Sequence, residues 1–300
     1  MIRKFALTIA SLIVLASCKE VPVLIDKGDL ASEDTTYVTS QVPANQEKLF
    51  LVEELSGVQC VNCPAGMEKL HDIKGNGEFK DKLVIASIHV GTFAWFIDGK
   101  STQDFVVTGS DQLLELILGG DPGKPCSAFD RLDFKANKKF LMTNPSLWPS
   151  FLKNAKDSAS TTPINVDVVS KFNETADAFD IEVTLTYTKE VAGNQSLNIY
   201  LVEDKIIDAM SYSSSNVDLE YEFNHVLRAY VTPPSGRSFL NDLAIKEKGR
   251  VYSYRVQYKI DKADPKQALW NPENMKVIAF VNQNDANTKR VYQVKEVNFK

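Results

Sequence analysis

Two cysteines separated by two residues, Cys60 and Cys63, follow directly on the apolar run Leu49-Phe50-Leu51-Val52 and are succeeded at once by Pro64. That order puts a pair of thiols where a strand hands over to a helix. Pro64 has no backbone N–H to lose in a first helical turn, and Met67 and Leu70 continue the apolar spacing, so Cys60 is expected at or just before a helix N-terminus. The unpaired N–H groups and the positive dipole end there favour a thiolate over a thiol. The spacing leaves three chemistries open: thiol–disulfide exchange, a small structural disulfide, and half of a zinc site. A structural zinc site needs four ligands, and there is no second CxxC and no closely spaced histidine pair, His71, His89 and His225 being scattered. No metal and no cofactor is therefore expected.

The N-terminal segment assigns a compartment. Arg3 and Lys4 precede an apolar run from Phe5 to Leu15, and Leu15-Ala16-Ser17-Cys18 closes it with small residues before a cysteine. This differs from a bare secretory signal ending in an Ala-x-Ala-like site and resembles the bacterial lipobox. Residues 1–17 are read as a lipoprotein signal peptide and Cys18 as the lipidated first residue of the mature chain. The run falls short of the roughly 20 apolar residues that span a bilayer. Setting Cys18 aside leaves Cys60, Cys63 and Cys126 of the four cysteines. In an oxidising envelope compartment one pair plus a spare points towards exchange chemistry; the alternative is that Cys126 is a small buried hydrophobe. A net charge of −5 and the lack of a Lys/Arg block argue against a nucleic-acid partner.

The 300 residues fit two ordinary domains behind a tether. Residues 18–45 are mostly polar and aperiodic and are expected to be flexible. Residues 46–160 carry an α/β pattern: the strand at Leu49, the CxxC helix, a nearly continuous apolar run from Leu83 to Val90 as in a strand covered on both faces, and helices around Leu113–Leu118 and after Asn144-Pro145. Between those helices, Gly119 to Pro125 is turn-rich and leads into a strand starting at Cys126. From residue 161 the period changes to two. Phe179, Ile181, Val183, Leu185 and Tyr187 share one strand face, and Tyr252, Tyr254, Val256, Tyr258 and Ile260 another. With further strands near 164–170, 197–203, 225–231, 275–281 and 290–297, residues 161–300 read as an immunoglobulin-like β-sandwich.

A strand, a CxxC at a helix start, a buried second strand and a later proline before another strand resemble the thioredoxin fold over residues 46–160. The resemblance implies that the later proline is cis and shapes the groove that receives an extended substrate strand. Pro125 fits that place better than Pro122, because it directly precedes the strand at Cys126. More narrowly, Val52-Glu53-Glu54-Leu55-Ser56-Gly57, Cys60 to Gly66, Ile88-His89-Val90-Gly91, Pro125 through Phe129-Asp130-Arg131, and Asn224-His225-Val226-Leu227-Arg228 look like the outer-membrane lipoproteins of the 28-kilodalton family. That resemblance implies an α/β plus all-β architecture, a thioredoxin-like domain followed by a β-sandwich, held at the outer membrane by lipid on Cys18.

Two functions are expected from these residues. In the first, the chain is a thiol–disulfide oxidoreductase acting on envelope or surface proteins, with Cys60 attacking, Cys63 resolving and Pro125 shaping the groove. Cys126, next to the proline, would be within reach to resolve a mixed disulfide, and His89, at the end of an apolar strand, would be a proton carrier or a partly buried histidine making a hydrogen bond. In the second, the chain is a surface or periplasmic binding or adhesion protein whose CxxC is a structural disulfide. Gln59 in place of the usual Trp, and Val61-Asn62 in place of Gly-Pro, favour the second. Alternating polarity would put His225 and Leu227 on one strand face and Asn224, Val226 and Arg228 on the other.

Overall fold

A computed structural model describes residues 32–135, 139–159, 161–286 and 288–299. The signal segment and Cys18 lie outside the described residues. In chain order the strands are β1 (Ser32–Val38), β2 (Phe50–Ser56), β3 (Leu83–His89), β4 (Cys126–Phe129), β5 (Leu141–Met142), β6 (Ile164–Asn173), β7 (Ala178–Tyr187), β8 (Val191–Ala192) and β9 (Gln195–Glu203). There follow β10 (Ile206–Ser211), β11 (Val217–Phe223), β12 (Val226–Tyr230), β13 (Arg237–Phe239), β14 (Ile245–Lys246), β15 (Arg250–Lys259), β16 (Met275–Gln283) and β17 (Val291–Asn298). Helix α1 is Cys63–Gly75, α2 begins at Ser110–Gln112 and runs on in a wider π-turn over Leu113–Leu118, and α3 is Trp148–Ser158.

The chain is mixed α/β and dominated by sheet. A nine-stranded sheet runs in the order β17-β16-β9-β12-β3-β2-β4-β5, with β13 also paired to β9. Its pairs are antiparallel except β2–β3 and β3–β12. The boundary expected near residue 160 is thus spanned by one sheet, with the Ser87 N–H donating to the His225 carbonyl at 2.8 Å. A second sheet, β1-β15-β7-β6, has four strands.

Alternation along the central strands decides which face each residue serves. On one face Leu51, Leu55 and Ile88 join Tyr200, Val202, Ile278 and Phe280 in a core capped by Leu113, Leu114 and Leu118 of α2. On the other face the core divides. Phe50, Val52 and Ile85 pack against Leu70 and Ile73 of α1 and Trp148 and Leu152 of α3. Leu197, Ile199, Leu201, Val277 and Ala279 instead meet Val183, Leu185, Tyr252 and Tyr254 of the four-stranded sheet in a sandwich-like core.

Two expectations are corrected here. Part of the segment expected to be a flexible tether is β1, antiparallel to β15. All its side chains are exposed, so no apolar alternation marks it. It is held by backbone pairing, by the Thr36 hydroxyl donating to the Val251 carbonyl at 2.8 Å and by Asp34 accepting from Arg237 and Tyr252. His225 and Leu227 do not share a strand face either. His225 sits at φ +60° ahead of β12, and the strand pairing shifts between Leu227 and Ala229, which breaks the alternation.

Candidate functional site

At the C-terminal end of β2 the chain turns through Gly57, with the Cys60 N–H donating to the Gly57 carbonyl at 2.9 Å and the Cys63 N–H to the Cys60 carbonyl at 3.0 Å. Gly57 is required for close approach, since a Cβ there would fall 2.3 Å from the Phe93 carbonyl oxygen. Helix α1 starts at Cys63 with Pro64 in its first turn. Cys60 and Cys63 form a disulfide, S–S 2.05 Å, with their Cα atoms 5.4 Å apart. Both cysteines are buried, Cys60 5 % exposed and Cys63 1 %.

The Lys124–Pro125 peptide is cis. Pro125 is buried against α1, where a Cβ on Gly66 would lie 2.9 Å from the Pro125 Cβ and 3.3 Å from the Trp148 ring. Cys126 opens β4 opposite Leu55. It packs with Leu51, Leu55 and Ala128 on the α2 face of the sheet, whereas the disulfide packs with Val58, Phe105, Met210 and Phe223. Burial pushes the Cys126 thiol well above its ordinary range. The structure therefore brings Cys60, Cys63 and the Pro125 segment together and leaves the Cys126 thiol in a separate core.

The carboxylates of β2 do what the sequence motifs alone did not assign. Glu53 projects into the α2-side core, where Arg131 donates to both of its oxygens at 2.8 and 2.7 Å and the Tyr200 hydroxyl donates at 3.0 Å. Glu54 projects to the opposite face, and among the described residues no cationic side chain is bonded to it. The Ser87 hydroxyl donates to its Oε2 at 2.8 Å, and its Oε1 is buried without a hydrogen-bond partner. Burial pushes the Glu54 carboxyl up to about 7, against the opposing pull of the Ser87 and Ser56 hydroxyls and the Lys124 charge. Ser87 and Cys63 both line a cavity of about 10 Å³, together with Ser56, Met67 and Tyr221. Glu54 does not itself line that cavity; its link to it is the hydrogen bond from the Ser87 hydroxyl. The signal in sequence is the pair Glu53-Glu54 inside a strand that is otherwise buried throughout.

His89 lies opposite Ser56 in the β2–β3 register. It is not partly buried and hydrogen-bonded as expected: it is fully buried between Phe105 and Phe223, ring centroids 5.0 and 5.7 Å away, and neither ring nitrogen has a hydrogen-bond partner. Burial, then the Arg228 charge, pushes it down to about 3, so the ring is neutral at ordinary pH. His71 of α1 meets His225 edge to face at 5.7 Å. Arg228 pairs with Glu203 at 2.6 Å and bonds Gln103, so residues 224–228 tie strands and loops together. Among the described residues no group of three or more His, Cys, Asp or Glu side chains could hold a metal ion.

A groove of about 740 Å³ opens beside the disulfide. Gln59 and Val61, the residues on either side of Cys60, line it together with the loop after β3 and the tip of the β10–β11 hairpin. Gln59 fixes the loop through its side-chain amide, which donates to the Trp95 carbonyl at 3.0 Å and the Phe96 carbonyl at 3.2 Å. The Ser211 N–H donates to the Val58 carbonyl at 2.9 Å and holds the hairpin. Val61, Trp95 and Phe96 stand 43, 57 and 48 % exposed. Sequence reasoning missed this groove, because its two walls lie more than 100 residues apart and meet only through the fold.

The model of the family described as outer membrane protein Omp28 matches residues 120–300, a span that contains Pro125 and Cys126 but not the disulfide. A comparison with curated proteins finds no match. Among solved structures, HBP35 of Porphyromonas gingivalis superposes with a TM-score of 0.61 at 16 % identity, over 86 % of this chain and 77 % of that one, a likeness of fold. AvmM, described as catalysing macrocyclization in alchivemycin A biosynthesis, gives a TM-score of 0.26 at 8 % identity over 45 % of this chain and 87 % of that one. A β-glucosidase from Kluyveromyces marxianus gives 0.22 at 16 % identity over 46 % and 14 %. Scores this low carry no argument.

Proposed function

The chain belongs to the Omp28 outer membrane protein family, and from that premise we propose that it is a lipid-tethered thiol–disulfide exchange protein acting on polypeptides of the cell envelope. The carrying observation is the Cys60–Cys63 disulfide at the start of α1, with the cis Pro125 packed on Gly66 of the same helix. The parallel β2–β3 pair, α1 on one face and antiparallel β4 support treating residues 46–160 as a thioredoxin-like unit. The lipid is assigned to Cys18.

In the oxidising direction, a partner thiolate attacks the Sγ of Cys60, an S–S bond forms between partner and Cys60, and the Cys60–Cys63 bond breaks. Cys63 departs with the electron pair and is protonated, Glu54 being a carboxyl on the same face of β2 that holds a proton up to about 7 and reaches the cavity lined by Cys63 through the Ser87 hydroxyl. A second partner thiolate then attacks the partner sulfur of the mixed disulfide and releases Cys60. The partner dithiol is oxidised and the protein pair reduced. In reverse, Cys60 attacks as a thiolate favoured by the helix start.

The near-complete burial of both cysteines favours a second reading, a binding protein in which the disulfide only stiffens the turn. A redox-buffer titration of the full chain, with alkylation and mass spectrometry at each cysteine, separates the two. A midpoint between roughly −120 and −270 mV supports exchange, and one below about −300 mV supports the structural staple.

A further inference from the structure

We propose that the β10–β11 hairpin is a hinged lid that closes over the Cys60–Cys63 disulfide and lifts before a thiol can reach it. The proposal rests on the exchange reading and names what regulates access to that site.

The hairpin is mounted outside the main sheet. Glu203 of β9 pairs directly with Val226 of β12, so that sheet continues across residues 204–225 without needing them. Among the described residues β10 and β11 form a two-stranded sheet of their own, and a lone hairpin is marginal unless it packs on something. The chain enters and leaves it through left-handed non-glycine residues, Lys205 at φ +58° and His225 at φ +60°. Backbone held in that region concentrates at segments that switch. The two points are tied to each other: the Asn224 side-chain oxygen accepts from the Lys205 N–H at 3.0 Å, and the Asp204 carboxylate from the His225 N–H at 2.7 Å. Lys276 of β16 pins Asp204 at 2.5 Å. The pivot is thus fixed to the main sheet, and the hairpin beyond it is not.

What the hairpin covers is the disulfide. Ile206, Met210 and Phe223 pack with both cysteines, Val58 and Phe105, and Met210, Tyr221 and Phe223 line the small cavity that Cys63 also lines. Its other face holds Ile207, Leu219, Glu220 and Glu222 in water, so the cover is one layer thick. Its fastening is local. The buried Asp208 carboxylate accepts from the Thr102 N–H at 2.8 Å and the Gln103 N–H at 2.7 Å on the loop after β3, and the Ser211 N–H donates to the Val58 carbonyl at 2.9 Å. Bonds to a carboxylate are strong, yet these can break together without parting any strands of the two large sheets. Exchange depends on access to the attacked sulfur, and the observed rate scales with the fraction of molecules that are open.

The test follows reduction of the disulfide in the native full chain by dithiothreitol. One thiolate attacks a protein sulfur, the Cys60–Cys63 bond breaks, and the second thiol closes the reagent's ring. Two electrons and two protons pass to the cysteines, and the reagent leaves as its cyclic disulfide. Relative to a short peptide with the same oxidised pair, reduction should be slowed by the factor that slows amide exchange at Thr102, Gln103 and Ser211 relative to free peptide, under conditions where reclosing is fast. Asp208→Ala should speed reduction roughly tenfold, and exchange at Ser211 by the same factor. Val183→Ala, in the sandwich core, lowers global stability and should change neither.

Reduction much faster than these amides open, or unmoved by Asp208→Ala, would mean that thiols enter with the hairpin closed. Equal acceleration by Val183→Ala would mean entry through global unfolding. Either result overturns the lid. The amide comparison needs no variant and decides the matter should Asp208→Ala not fold. Exchange is judged separately: a redox midpoint below about −300 mV, with Asp208→Ala still accelerating reduction, overturns exchange and leaves the lid standing.

Discussion

Gly66 in α1 and Pro125, the residue just before β4, meet so closely that a single added methyl at Gly66 would come 2.9 Å from the Pro125 Cβ. The same helix contains Gly75, around which nothing lies within 4 Å. Gly66→Ala should therefore destabilise by about 1–3 kcal/mol through overpacking, while Gly75→Ala should gain up to about 1 kcal/mol from helix propensity. Opposite shifts in urea midpoint check the pair; equal shifts would remove the argument that Gly66 is set by the Pro125 contact.

Glu54 titrates near 7 in the folded chain against 4.5 as its ordinary value. Between those two pH values the folded state keeps a proton that the unfolded state has lost, so stability falls as pH rises through the window. The difference in unfolding free energy between wild type and Glu54→Gln should change by on the order of 3 kcal/mol from pH 4.5 to 7, to the disadvantage of the wild type. Denaturant melts at several pH values, with the disulfide intact, measure it. A flat difference would mean that the carboxyl is not buried as described.

His89 has the opposite sign. Its folded value lies near 3 and its ordinary value at 6.5, so the unfolded chain takes up a proton that the folded ring refuses, and stability is lost as pH falls from 6.5 towards 3. His89→Leu removes the titrating ring. At pH 8 the two proteins should lie within about 1 kcal/mol, lost ring contacts offsetting the removal of two unpaired nitrogens. At pH 5 the variant should lead by on the order of 2 kcal/mol.

Cys126 sits on the far side of the sheet from the disulfide. Cys126→Ala should leave the Cys60/Cys63 midpoint where it is and cost about 1 kcal/mol of stability from the lost buried sulfur. In the reduced native protein, iodoacetamide should label Cys60 and reach Cys126 only after denaturant is added. Early labelling of Cys126 would contradict its burial.

Local order was legible in the residues. The run before Cys60, the proline after Cys63 and the spacing of Met67 and Leu70 led to β2 and α1, and Pro125 led to the strand beginning at Cys126. The two-residue period over 179–187 and 252–260 led to β7 and β15, which pair as neighbours. Long-range joins were not legible. Alternation reports that Val226 and Leu227 serve opposite faces, but which strand lies beside them is settled by the Ser87 to His225 bond, between segments far apart in sequence. Glu53 and Glu54 look alike in sequence, and only the fold gives one an arginine and denies it to the other. β1 was invisible because an exposed edge strand needs backbone partners rather than an apolar face.

The core beneath β2 draws Val291 and Val294 from β17 as well as Phe280 from β16. β17 is the last strand among the described residues, so the face of β2 turned away from α1 is closed only by a segment more than 200 residues further along the chain. Loss of that one strand would open Leu51 and Leu55 to water without touching a residue near them in sequence.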